Sequence, residues 1–130
     1  MLLIHNKIKA RLSKSLVTDL ERIYRLSSIS HKVCGLQFVS ASEMRSLNST
    51  FRQKRKTTEV ISFEYDDPEM AGEVFIGIWN VNRFCRLQGQ KIDSLRIQNR
   101  IKNRFIHSLC HLMGYSHDTD NDHLKVNYND

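Results

Sequence analysis

Segment 94–113 constrains this chain more than any other stretch, because its apolar residues recur at a spacing that only a helix can gather onto one side. Ile97, Ile101, Phe105, Leu109 and Leu112 fall three or four residues apart and share one broad face. Leu95, Ile106 and Met113 are expected to widen that face, and Asp93 or Ser94 supplies the N-cap. A helix this apolar must be buried on one side, so it is expected to be central to the core. The opposite stripe carries Arg96, Arg100, Asn103, Arg104, His107 and His111. Such a row is either a solvated basic face or a binding track for a polyanion. Arginine suits phosphate, since its planar fork can donate two hydrogen bonds to one group.

The stripe ends in a motif, His107-Ser108-Leu109-Cys110-His111-Leu112-Met113-Gly114-Tyr115-Ser116-His117, with H-x-x-x-H-x-x-G-x-x-H spacing. His107 and His111 are four apart and lie on one helical face, one turn above the other. Gly114 can take the left-handed conformation that ends a helix and reverses the chain, bringing His117 to the same point. Three neutral imidazoles with no fourth protein ligand are the pattern of a catalytic zinc, or another divalent transition metal, whose open position holds water. The plain alternative is three surface histidines clustered by chance. Agreement of spacing, glycine and helical context favours the metal. Metzincin proteases share this spacing but carry a glutamate after the first histidine as general base. Here that position is Ser108, which cannot serve as that base near neutral pH, so zincin-type peptide hydrolysis is not expected.

Whole-chain charge agrees with a polyanionic partner. Lys plus Arg number 20 against 14 Asp plus Glu, a formal charge of +6, and the pI is near 9.4. Long-range electrostatics draw such a protein towards nucleic acid or anionic surfaces. A chain of 130 residues with 40% hydrophobic content is expected to form a single domain, 1–130, around one core. Cys34, Cys85 and Cys110 are odd in number and form no C-x-x-C pair, so no disulfide framework is expected and a reducing cytoplasm is the natural setting. The N-terminus lacks a signal-peptide core, and no apolar run could span a bilayer.

Strands and helices alternate along the chain. Residues 2–5 read as a short strand and 6–28 as an amphipathic helix with Ile8, Leu12, Leu16, Leu20 and Ile23 on its inner side. Residues 35–39 read as a strand. Ser40-Ala41-Ser42-Glu43 then forms a capping box for a helix carrying Met44, Leu47 and Phe51 inward. Residues 60–63 and 73–78 are two more strands, with Asp66, Asp67, Pro68 and Gly72 marking the turn between them. A further helix is expected around 80–87. Cys110 is expected as a small core residue. The pattern predicts an α/β (α+β) fold: a small central mixed sheet packed with about four to five helices in two or three layers, the metal site at the C-terminal helix. Between helix and strand, Arg52, Lys54, Arg55 and Lys56 form a basic segment, either a solvated loop or a set of phosphate contacts.

Four blocks in order, Leu47-Asn48-Ser49-Thr50-Phe51-Arg52, Thr58-Glu59-Val60-Ile61-Ser62-Phe63, Gly72-Glu73-Val74 and the His107-to-His117 motif, resemble the YbeY family of bacterial metal-dependent endoribonucleases. The likeness runs over roughly 36–117, and the three-histidine motif is its specific part. It implies a central sheet with helices and one metal, usually zinc, on His107, His111 and His117. It also implies a role in maturing small-subunit rRNA and in ribosome quality control, with the ribosome or a small-subunit ribosomal protein as partner. An arginine at the position of Arg52 is implied to engage RNA near the metal. This chain departs from the family pattern at Arg55, Thr57, Glu59 and Glu64, where Asp, Pro, Asp and Pro are common, and at Ser116, where Asp is frequent. After His117, Asp118, Asp120, Asp122 and His123 read as a solvated acidic end.

The mechanistic expectation places Arg52 and His107 as catalytic residues. Arg52, helped by Arg100 or Arg104, positions the scissile phosphate and offsets transition-state charge. Arg96, with Lys54, Arg55 and Lys56, extends the RNA contacts. The nucleophile is either metal-bound water or the RNA 2′-hydroxyl, and no carboxylate stands out as general base. Two other readings are a non-catalytic RNA- or ribosome-binding protein with a structural metal, and a metal-dependent hydrolase of another substrate. Structural zinc normally closes with a fourth ligand, often Cys, and none is suitably spaced.

Overall fold

The computed structural model describes residues 1–8, 11–52, 59–77, 91–92, 95–114 and 126–129. In chain order the elements are β1 (Leu2–Asn6), β2 (Arg11–Leu12), α1 (Lys14–Arg25), β3 (Val33–Val39), α2 (Ala41–Arg52), β4 (Val60–Glu64), β5 (Met70–Gly77), β6 (Lys91–Ile92), α3 (Leu95–Leu112) and β7 (Val126–Asn129). Five strands form a mixed sheet in the order β1-β3-β5-β4-β7. β1, β3 and β5 run parallel, and β4 is antiparallel to both β5 and β7. β2 and β6 make a separate short parallel pair.

Alternation along the strands sorts the core into two faces. Leu36, Phe38, Val60, Val74 and Ile76 pack with Leu16, Leu20 and Tyr24 of α1 and with Ile101, Phe105, Leu109 and Leu112 of α3. The intervening positions Val39, Ile61 and Phe75 pack on Met44 of α2, with Leu47 and Phe63 beside them. The architecture is therefore α+β in three layers: α1 and α3, the sheet, then α2. Three helices lie among the described residues; the one expected around 80–87 lies outside them. No helix among the described residues is long and apolar enough to cross a membrane.

Local chemistry moved several boundaries. The helix expected over 6–28 is only α1, because Asn6 ends β1 and Ser13 starts the helix as its N-cap. The Asn6 side chain accepts from Ile8 N at 3.1 Å, and Ser13 Oγ accepts from Leu16 N at 3.2 Å. For α2, Ser40 Oγ accepts from Glu43 N at 3.1 Å as expected, while the Glu43 carboxylate takes Lys7 Nζ at 3.1 Å. Phe51 is exposed rather than inward and sets its ring edge-on to Phe63, centroids 5.0 Å apart.

Gly72 belongs to β5, not to the turn before it. That turn is closed by Asp67 Oδ1, which accepts from Glu69 N at 2.7 Å and Met70 N at 3.0 Å. Gly72 has φ +154°, and a Cβ there would stand 2.1 Å from Phe63 O and 2.9 Å from Leu112 Cδ2. Only glycine lets β4, β5 and the end of α3 meet so closely. The strand β7 was not foreseen. Val126–Asn129 pairs with β4 at the sheet edge, while Asp118, Asp120, Asp122 and His123 lie outside the described residues.

The buried arc of α3 is also rotated from the expected one. Leu95 and Ile106 are exposed, whereas Gln98, Ser108 and His111 are buried. The helix is held on its α1 side by Gln98 Nε2 donating to Ser13 Oγ at 3.0 Å and by Lys102 Nζ donating to Asp19 at 3.1 Å. It rests against β4 and β5 in a way that turns Ser108 and His111 inward. Cys110 is partly exposed rather than a core residue, and among the described residues Cys34 is the buried thiol.

Candidate metal centre

His107 and His111 come together at the end of α3 because four residues of helix return the chain to the same face. Their Nε2 atoms are 2.9 Å apart, and their rings meet edge to face with centroids 4.6 Å apart at 64°. His111 is only 7% exposed, and His107 is half-buried beside it. Nitrogens bound to one zinc at about 2.0–2.1 Å can never be more than about 4.2 Å apart, and this pair meets that condition. Imidazole donors also suit zinc and its transition-metal neighbours. The two residues therefore fit a metal of this class.

Beyond them α3 ends as the spacing requires. Gly114 has φ +94°, and its N–H donates to His111 O at 3.0 Å. His117, the expected third ligand, lies outside the described residues, among which no group of three metal-binding side chains occurs. Ser108 is buried at the position of the zincin glutamate, and its Oγ has no hydrogen-bond partner among the described residues.

One and two turns before His107 the same helix carries Arg104 and Arg100, and both meet one carboxylate. Arg104 Nη2 donates to Glu59 Oε2 at 2.8 Å, and Arg100 Nη2 is bonded to Glu59 Oε1. Glu59 immediately precedes β4, where its carbonyl accepts from Gly77 N at 2.8 Å. Burial works against the charge of Glu59. Hydrogen bonds and charges from Arg100 and Arg104 outweigh it and hold the carboxyl below its ordinary 4.5. The basic stripe is thus built around an anion rather than being cations alone. The sequence placed Glu59 in a block resembling a family and marked it as a departure from that family's pattern, without a role at this site. Its pairing joins positions far apart in the chain, which no local periodicity records.

Arg52 ends α2, which packs on the opposite face of the sheet from α3. Lys54, Arg55 and Lys56 lie outside the described residues, as do the side chains of Arg52 and Arg96.

Curated relatives resemble the chain along most of its length. It is 32% identical over 93 residues to the endoribonuclease YbeY of Buchnera aphidicola, covering 72% of this chain and 60% of that protein. The endoribonuclease YbeY of Nautilia profundicola is 33% identical over 112 residues, covering 85% of this chain and 76% of the relative. That of Francisella tularensis subsp. holarctica is 32% identical over 101 residues, covering 71% and 59%. The chain thus spans about three fifths of the length of the Buchnera and Francisella relatives. A Thermotoga maritima protein solved in solution shares the fold with a TM-score of 0.56 at 23% identity, covering 94% of this chain and 78% of that one. The family model described as endoribonuclease YbeY matches residues 4–129, the span that includes nearly all of the sheet, the imidazole pair and the Glu59 clamp, and the chain belongs to that family.

Proposed function

We propose that this protein is a zinc-dependent, single-strand-specific endoribonuclease, a single domain acting in the cytoplasm in small-subunit rRNA maturation and ribosome quality control. The observation that carries the reading is the convergence of two imidazole Nε2 atoms at 2.9 Å on a helix whose preceding turns bear Arg104 and Arg100. His107, His111 and His117 would hold the metal. When bound, such an ion polarises a phosphoryl oxygen or lowers the pKa of a water towards neutrality.

The protein's own groups then do the rest. Burial of His111 fixes one ligand ring in a shielded place, and half-buried His107 leaves the pair open towards solvent. Arg100 and Arg104 lie on the path along which a phosphate backbone would approach, with Arg52, Lys54, Arg55, Lys56 and Arg96 as further contacts supported by motif position and charge. Single-stranded RNA is the favoured target, because the deep, narrow major groove of an A-form duplex is closed to side chains while unpaired bases can be splayed out and stacked. The names of the relatives support an RNA substrate. A ribosomal partner, specifically a small-subunit ribosomal protein, rests on family likeness.

The test is incubation of purified protein with single-stranded and structured RNA, with and without chelator. Chelator-sensitive cutting of the single-stranded substrate is expected. Tight binding without cutting under any metal condition would overturn the nuclease reading in favour of a binding protein.

A further inference from the structure

A surface arginine binds phosphate poorly when it must first be immobilised, since ordering a long side chain offsets part of each contact it makes. Arg100 escapes that cost in an unusual way. Its side chain is 61% exposed, yet it is bonded to Glu59, whose side chain is only 18% exposed. Glu59 is itself fixed, because its carbonyl is the first accepted bond at the β4–β5 end. The same carboxylate takes Arg104, 29% exposed, on its other oxygen. Both guanidiniums therefore hang from one strand-anchored anion, in line on α3 with His107 and His111. An ordinary exposed ion pair contributes little to stability. The positional consequence is larger than the energetic one.

We propose that Glu59 is a positioning residue for RNA binding: it holds Arg100, with Arg104 behind it, in a preset orientation so that Arg100 grips a backbone phosphate adjoining the imidazole pair. The carboxylate lowers the local positive charge by one, yet it raises affinity because the fork it holds no longer has to be ordered by the substrate. This rests on the RNA-cleaving reading above and adds to it a residue that touches no substrate. Arg100 is the group that contacts phosphate, and Glu59 acts through it.

A double-mutant cycle separates this from mere structural support. Glu59→Gln, Arg100→Ala and the double variant are compared with wild type for KM and kcat on single-stranded RNA. RNA affinity is read by fluorescence anisotropy with chelator present, so that no metal is needed. Asp19→Asn, which breaks the Lys102–Asp19 pair between α1 and α3, controls for loss of an ion pair elsewhere. Glu59→Gln is expected to raise KM and the metal-free Kd together by about three- to tenfold, the range of one ordered side chain. kcat should stay within about twofold. In the Arg100→Ala background the added Glu59→Gln change should do nothing further, and Asp19→Asn should leave both constants unchanged. Unchanged affinity in Glu59→Gln, or a full effect persisting without Arg100, overturns the proposal. If Glu59→Gln melts below the assay temperature, Arg100→Lys carries the test, since it keeps the charge and loses the fork. A rise in KM is then expected, and no rise overturns the inference. Wild-type protein that neither binds nor cuts RNA would instead overturn the RNA reading itself, a result distinct from a functional nuclease indifferent to Glu59.

Discussion

Replacing Gly72 by alanine should damage this protein more than the same change at Gly35 or Gly114, and the geometry says by how much. The added Cβ would lie 2.1 Å from Phe63 O on the neighbouring strand and 2.9 Å from Leu112 Cδ2. A carbon and a carbonyl oxygen settle no closer than about 3.3 Å, so β4 and β5 must part locally by roughly 1 Å. The adjoining bond from Tyr65 N to Ala71 O, now 3.1 Å, would stretch past the hydrogen-bonding range. Overpacking costs about 1–3 kcal/mol, the strained φ of a residue with a side chain adds about 1–2, and one lost backbone bond about 1. The sum is roughly 3–6 kcal/mol against a total stability of about 5–15. For a chain of this size that is a fall in Tm of roughly 12–24 °C. Two sister variants isolate the causes. Gly114→Ala suffers strain alone, since φ is +94° but nothing lies within 4 Å of its Cβ. Gly35→Ala meets only the flexible Glu73 side chain, at 3.2 Å. Thermal melts should rank the losses Gly72, then Gly114, then Gly35. A Gly72→Ala protein melting within about 3 °C of wild type, or above Gly114→Ala, would refute the reasoning.

Phe105→Ala should cost about 3–5 kcal/mol in urea unfolding, because the ring is fully buried between α3 and the sheet; a loss under about 1.5 would mean that the site collapses around it. The contribution of Glu59 to stability should be constant near neutrality and fall as pH drops below about 5, since its carboxyl is held low in the fold and is protonated more readily when unfolded. Glu59→Gln should flatten part of that decline, and an unaltered pH profile would remove Glu59 from it. Arg52→Ala should lower RNA cleavage by about 10²–10³ if the side chain offsets transition-state charge, with metal content unchanged. Unaltered cleavage would remove Arg52 from the catalytic set.

Long periodic segments were the legible part of this fold. The apolar spacing of 94–113 placed α3 to within a residue at either end, and it set His107 and His111 on one face. Ser40 and Glu43 marked the start of α2, and Gly114 marked the reversal after α3. What failed did so where a distant partner decides. The inward rotation of His111 and Ser108, with Ile106 left in solvent, depends on how α3 sits between α1 and the sheet. Gly72 looked like a turn residue because a close approach by Phe63 and Leu112 leaves no trace in local sequence. Asn6 and Ser13 cut short a helical pattern through side-chain bonds that compete with the backbone, a signal present in the residue types but overridden by apolar spacing. The edge strand β7, only four residues long, alternates too briefly to stand out from a polar tail.

The central claim is that His107 and His111 are metal ligands, and elemental analysis of the purified protein beside His111→Ala tests it most directly. Wild type should carry close to one zinc or other divalent transition ion per chain, and His111→Ala should carry little or none while still folding. Equal metal content in the two proteins, or none in wild type after exposure to zinc, would contradict it.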